Sequence, residues 1–153
     1  MMFLTLKYVH ILSLVLLFGT GFGSAFYKWV ADRSGNIEHI SVINRHVVLA
    51  DWLFTTPSII VQPVTGIWMA VILGIPLNMP WLVTSLVLYV LAGLCWLPVV
   101  WLQLRMRDMA MQACAMQVNL SNDYWRYARI WFWLGVPAFT AMIGIVFLMV
   151  FKP

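Results

Sequence analysis

Apolar residues in this chain do not alternate with polar ones. They gather into four long runs, roughly residues 3–30, 47–73, 81–103 and 130–151. A bilayer core about 30 Å thick needs about 20 consecutive apolar residues in helix, and each run is long enough. A continuous helix also satisfies its own backbone hydrogen bonds, which lipid cannot do. The pattern therefore predicts an all-α fold: an integral membrane bundle of four transmembrane helices in one domain spanning residues 1–153. The expected helices cover about 3–30, 47–73, 81–116 and 124–151, the third continuing past its apolar part toward residue 116.

The charges sharpen this picture. All five acidic residues and seven of the nine Lys/Arg lie in two stretches, 28–51 and 105–129. With 63% hydrophobic and 9% charged residues, the chain is far from the roughly 25% charge of a soluble domain. Helices alternate direction, so the two basic stretches share one side of the membrane, and the positive-inside rule makes that side cytoplasmic. The expected home is a bacterial inner membrane, with both termini periplasmic. The formal charge of +4 is accounted for by orientation and contact with anionic lipid. No basic face is left for nucleic acid. The first run lacks a basic leader and is too long for a signal-peptide core, so it reads as a retained helix. Trp29, Trp81, Tyr124 and Trp125 fall near helix ends, where interfacial aromatics belong.

Some residues inside the helices change the packing expectation. Gly19 and Gly23 have the small-xxx-small spacing that lets helices approach. Their other reading is a bare backbone against which a flat cofactor lies. Pro57, Pro63, Pro98 and Pro137 each remove a helical hydrogen bond and predict kinks. Cys95 and Cys114 lie at different depths, so no disulfide is expected. Met106, Met109, Met111, Met116 and Cys114 are soft ligands, but their spacing matches no metal site. Copper is therefore not expected, and an amphipathic helix is the reading. The small residues of the first helix could also serve a homodimer.

Ionisable groups inside a membrane are costly and mark function by default. His10 is the foremost, two turns into the first helix among Val9, Ile11, Leu12 and Leu14. A neutral imidazole there wants a partner for each nitrogen. Either a heme iron takes one, or both are bonded across the bundle. His46 cannot share that iron. About 19 residues of helix span about 28 Å, whereas two axial ligands lie about 4 Å apart. Met69, Met142, Tyr89 and Lys152 are at plausible depths for a second ligand. Asp51, about one turn from His46, is either an ion pair with Arg45, Arg105 or Arg129, or a site for proton uptake or a quinone headgroup. No Walker loop, nucleophile elbow, zincin motif or catalytic carboxylate pair occurs.

The motif Leu6-Lys7-Tyr8-Val9-His10-Ile11 with Phe18-Gly19 opens the chain. Thr56-Pro57 with Gly66-Ile67-Trp68 follows, then Val136-Pro137, Ile145-Val146 and the ending Lys152-Pro153. With these motifs the chain resembles the HemJ family, small bacterial four-helix membrane proteins linked to protoporphyrinogen oxidation. More closely it resembles a related uncharacterised family of predicted integral membrane proteins. The resemblance implies heme b on His10 and a functional role for Lys152 toward a propionate, porphyrin or quinone. Leu134-Gly135 stands where HemJ-like proteins carry an Asn-Glu pair, and residues 91–98 lack their further histidine. What is implied is then a diverged redox protein that exchanges electrons with quinone. The contrasting expectation is a cofactor-free membrane subunit or small transporter.

Overall fold

A computed structural model describes residues 1–152, and these are helical apart from short turns, with no strand among them. The helices are α1 (Met2–Ser34), α2 (Ile37–Ala50), α3 (Thr56–Ile72), α4 (Pro80–Met116) and α5 (Asn122–Phe151), with a π turn (Asp51–Thr55) joining α2 to α3. Among the described residues, four helices are long and apolar enough to cross a membrane: α1, the continuous run Ile37–Ile72, α4 and α5. They form two compact units, Met1–Pro76 and Leu77–Pro153.

The second span begins ten residues before the expected 47, at Ile37. Hydropathy misses this start because Glu38, His39, Asn44 and Arg45 dilute the first turns. Local chemistry sets it instead. Gly35 ends α1 in the left-handed conformation, φ 65°, which a residue without Cβ adopts freely. Asn36 then caps α2, its Oδ1 accepting the His39 N–H at 3.0 Å. The expected charged loop is thus mostly helix, turned at two residues. Asn36→Ala is expected to lower stability by about 1 kcal/mol. The check is denaturant titration in detergent, and an unchanged midpoint would refute it.

The π turn has a local cause. Pro57 cannot donate to a carbonyl, and its ring crowds the carbonyl four residues earlier, that of Leu53. The chain answers with a wider turn. The backbone N–H of Thr56 reaches back five residues to the Asp51 carbonyl, and the Thr56 hydroxyl donates to the same oxygen at 2.9 Å. Asp51, Thr55, Ser58, Gln62 and Thr65 follow at steps of four and three, so they share one face. All five are buried.

The outside shows the reverse polarity. Phe22 is 63% exposed, Trp133 65% and Val150 69%. Exposed apolar surface on this scale belongs against lipid. In the second unit, Trp101 meets Tyr127 edge-on at 5.8 Å, and Gly144 admits the Leu88 side chain between α5 and α4. Trp29 and Trp125 are exposed near helix ends as expected, but Tyr124 is fully buried. Both cysteines are free thiols.

Candidate functional site

The first unit holds a polar cluster where α1 crosses α3. His10 Nδ1 lies 2.9 Å from Thr65 Oγ1, and His10 Nε2 lies 3.1 Å from Gln62 Nε2. Ser13 donates to Gln62 Oε1 in a short hydrogen bond, and its hydroxyl also lies 2.9 Å from the His10 carbonyl. Gly66 completes the cradle: a Cβ there would stand 3.1 Å from His10 Cε1. The imidazole edge therefore rests on bare α3 backbone.

One assignment of the protons satisfies the whole cluster. In it the Thr65 hydroxyl donates to the Val61 carbonyl at 2.7 Å and accepts from His10 Nδ1. Nε2 keeps its lone pair and accepts from the Gln62 amide, whose oxygen takes the Ser13 proton. Each member is satisfied, as a buried polar network must be. Both nitrogens of His10 thus find partners across the helix pair.

The other expected site residues are scattered. Gly19 lies nine residues past His10, about 180° around the helix, and Gly23 is also turned away. A Cβ at either would meet nothing within 4 Å. Both positions thus leave open space beside α1. The close-approach glycine is Gly66. Met69 is half-buried one turn beyond Thr65 on the same face of α3. Met142 is half-buried on α5, in the second unit. Lys152 ends α5 in the left-handed conformation, φ 45°, and its ammonium lies 5.6 Å from the Trp81 ring centroid.

Asp51 is buried, and its Oδ1 accepts from Thr55 Oγ1 at 2.8 Å. His46 and Arg45 lie on the exposed face of α2. At that end of α1, Lys28 and Asp32 form an ion pair at 2.8 Å with Lys28 almost wholly buried. The α4 methionines do not converge: Met106 is buried, while Met111 and Met116 are exposed. No group of three His, Cys, Asp or Glu able to hold a bare metal ion occurs among the described residues.

The partners of His10 are not evident from hydropathy, in which the second apolar run stands out by its prolines rather than by its polar residues. The signal was present. Thr55, Ser58, Gln62 and Thr65 recur at helical spacing inside an apolar run, where a single serine or threonine means little and four on one face mean a polar seam.

Apolar exteriors, four spanning helices and polar groups confined between them define an integral membrane protein of the α-helical class. The chain belongs to the family described as Predicted integral membrane protein (DUF2269), whose model matches residues 4–153. No curated protein and no solved structure matches it.

Proposed function

We propose that this chain is a b-type heme protein of the bacterial inner membrane with a redox role, His10 being the residue that would hold the iron. One observation carries the reading: His10 Nδ1 lies 2.9 Å from Thr65 Oγ1, an arrangement in which Thr65 accepts the Nδ1 proton and Nε2 keeps its lone pair within the span. Metal-bound histidines are oriented in the same way by an acceptor on the other nitrogen. The donor set suits a macrocycle better than a bare ion. A porphyrin brings four ligands of its own, so one histidine suffices. Gln62 is a neutral partner at Nε2 that iron would replace. Bound there, heme supplies one-electron exchange. The HemJ-like opening around His10 supports the same assignment, and Lys152 is the residue we assign to an anionic propionate or quinone partner. By the positive-inside rule, the Lys28–Arg45 end is cytoplasmic and His10 lies toward the periplasm.

The test is an absorption spectrum of detergent-purified protein, oxidised and dithionite-reduced, with a pyridine hemochrome assay. One heme per chain is expected, with the Soret band lost in His10→Ala. A colourless protein, even when expressed with added heme precursor, overturns the assignment.

A second reading is a cofactor-free membrane subunit or small transporter, favoured by the buried Asp51 at the π turn. Single π turns inside helices recur at functional sites. On this reading Asp51→Asn damages function more than His10→Ala does.

A further inference from the structure

Charge is unevenly placed in the first unit. All of its charged side chains except Lys7 lie within residues 28–51, and α3 has none at all. The first acidic residue after Lys7 on α1 is Asp32, about seven turns and 38 Å further on. Lys7 is exposed. It takes part in no ion pair, hydrogen bond or ring contact among the described residues. Lys28 differs on every count, being buried and paired with Asp32 at 2.8 Å. Lys7 is therefore a cation without a counter-charge in its own unit, at an end that carries no carboxylate.

Its place relative to His10 is set by the helix. Lys7 stands three residues before His10 on α1, about 4.5 Å along the axis and about 60° around it, so the two are neighbours on one face. Helical side chains lean toward the N-terminus, so the imidazole lies over the turn that Lys7 begins. Residues 8–27, which follow Lys7, are uncharged and span about 30 Å, the thickness of a hydrocarbon core. The ammonium thus stands at the boundary with water, and His10 lies about one turn inside it. A lysine there can anchor α1 at the interface with its stem in lipid. It can also receive an anion held beside His10. Heme brings two carboxylates, and burying a charge is costly unless a partner meets it.

We propose that Lys7 is the anion-binding residue of the His10 site, its ammonium pairing with a propionate carboxylate at the membrane boundary. The assignment rests on the heme reading and deepens it: the ligand is an acidic macrocycle, held by its metal at His10 and by its edge at Lys7. Ammonium and carboxylate form a charge-assisted hydrogen bond, and the flexible lysine stem lets that bond form at the level of water. Lys152, already assigned to an anionic partner, belongs to the second unit. The two lysines are not alternatives, because heme carries two carboxylates.

The test titrates the heme-depleted full chain in detergent with hemin and, separately, with hemin dimethyl ester, whose carboxylates are masked, and follows the Soret band. The wild-type chain is expected to bind hemin severalfold more tightly than the ester. Lys7→Gln should weaken hemin binding severalfold, Lys7→Glu should weaken it further, and Lys7→Arg should retain it. All three variants should bind the ester as the wild-type chain does. Hemin affinity indifferent to Lys7→Glu overturns the assignment. So does a loss shared equally by hemin and its ester, which would mark Lys7 as an anchor for α1 alone. Hemin binding that His10→Ala abolishes and Lys7→Glu leaves intact defeats the lysine role while the heme reading stands. A wild-type chain that develops no Soret band with either compound overturns the heme reading, and the role of Lys7 with it.

Discussion

Gly66→Leu is expected to lower the unfolding free energy by about 2–4 kcal/mol, the larger of two stability losses centred on His10. A Cβ at this position already stands 3.1 Å from His10 Cε1, and a leucine adds three more carbons in the same direction. Overfilling a packed interface costs about 1–3 kcal/mol. Moving the imidazole also releases its bonds to Thr65 and Gln62, each worth about 0.6 kcal/mol on average between membrane helices. Gly66→Ala should differ sharply. Its single methyl asks His10 to shift by a fraction of an ångström, while replacing glycine inside a helix gains about 1 kcal/mol. The two terms nearly cancel. Unfolding titrations in mixed detergent micelles measure both variants. A leucine variant as stable as the parent would show that α3 does not approach His10 as described.

Gln62→Leu is expected to cost about 1–2 kcal/mol. The substitution keeps the volume and removes both amide groups. Ser13 loses little, because its hydroxyl has the His10 carbonyl at 2.9 Å as an alternative acceptor. His10 Nε2 has no such alternative in the cluster and is left as a half-buried acceptor, where full burial would cost about 1–3 kcal/mol. The lower part of that range applies, since the unfolded chain in a micelle also finds partners for its polar groups. A double-mutant cycle separates the contributions. Coupling of about 1 kcal/mol is expected between Gln62→Leu and His10→Ala. Coupling near zero is expected between Gln62→Leu and Ser13→Ala. Strong coupling to Ser13 with none to His10 would reverse the order of the network.

Much of this architecture could be read from the chain. The four apolar runs correspond to four spans because lipid imposes a length and forbids charge within it. The charged stretches mark the ends of those spans for the same reason. The second span's start at Ile37 was hidden, since Asn36 and Gly35 set it locally while hydropathy averages over many residues. The network of His10 was hidden for a different reason. Its partners Gln62 and Thr65 lie more than fifty residues away, and only the antiparallel register of α1 and α3 brings them to it. The glycines show the limit of spacing rules. Gly19 and Gly23 have a helix-contact spacing and meet nothing, whereas Gly66, spaced the same way from Ala70, makes the close approach. The π turn depends on Pro57 acting on residues before it, an effect that periodicity does not register.

The reversed polarity of the first unit bears on biogenesis. The segment Ile37–Ile72 carries Asp51, Thr55, Ser58 and Gln62 on one side, and an aspartate within a span costs up to about 3 kcal/mol, most at its centre, when a translocon offers that span to lipid. With α1 already in place, Gln62 and Thr65 meet His10 and Ser13 in place of acyl chains. The hairpin is therefore the unit that partitions into the bilayer, and α1 acts as an intramolecular chaperone for the span that follows it. Glycosylation mapping should find Ile37–Ile72 inserting poorly when fused alone and efficiently behind α1. Equal insertion in both settings would remove that role from the first helix.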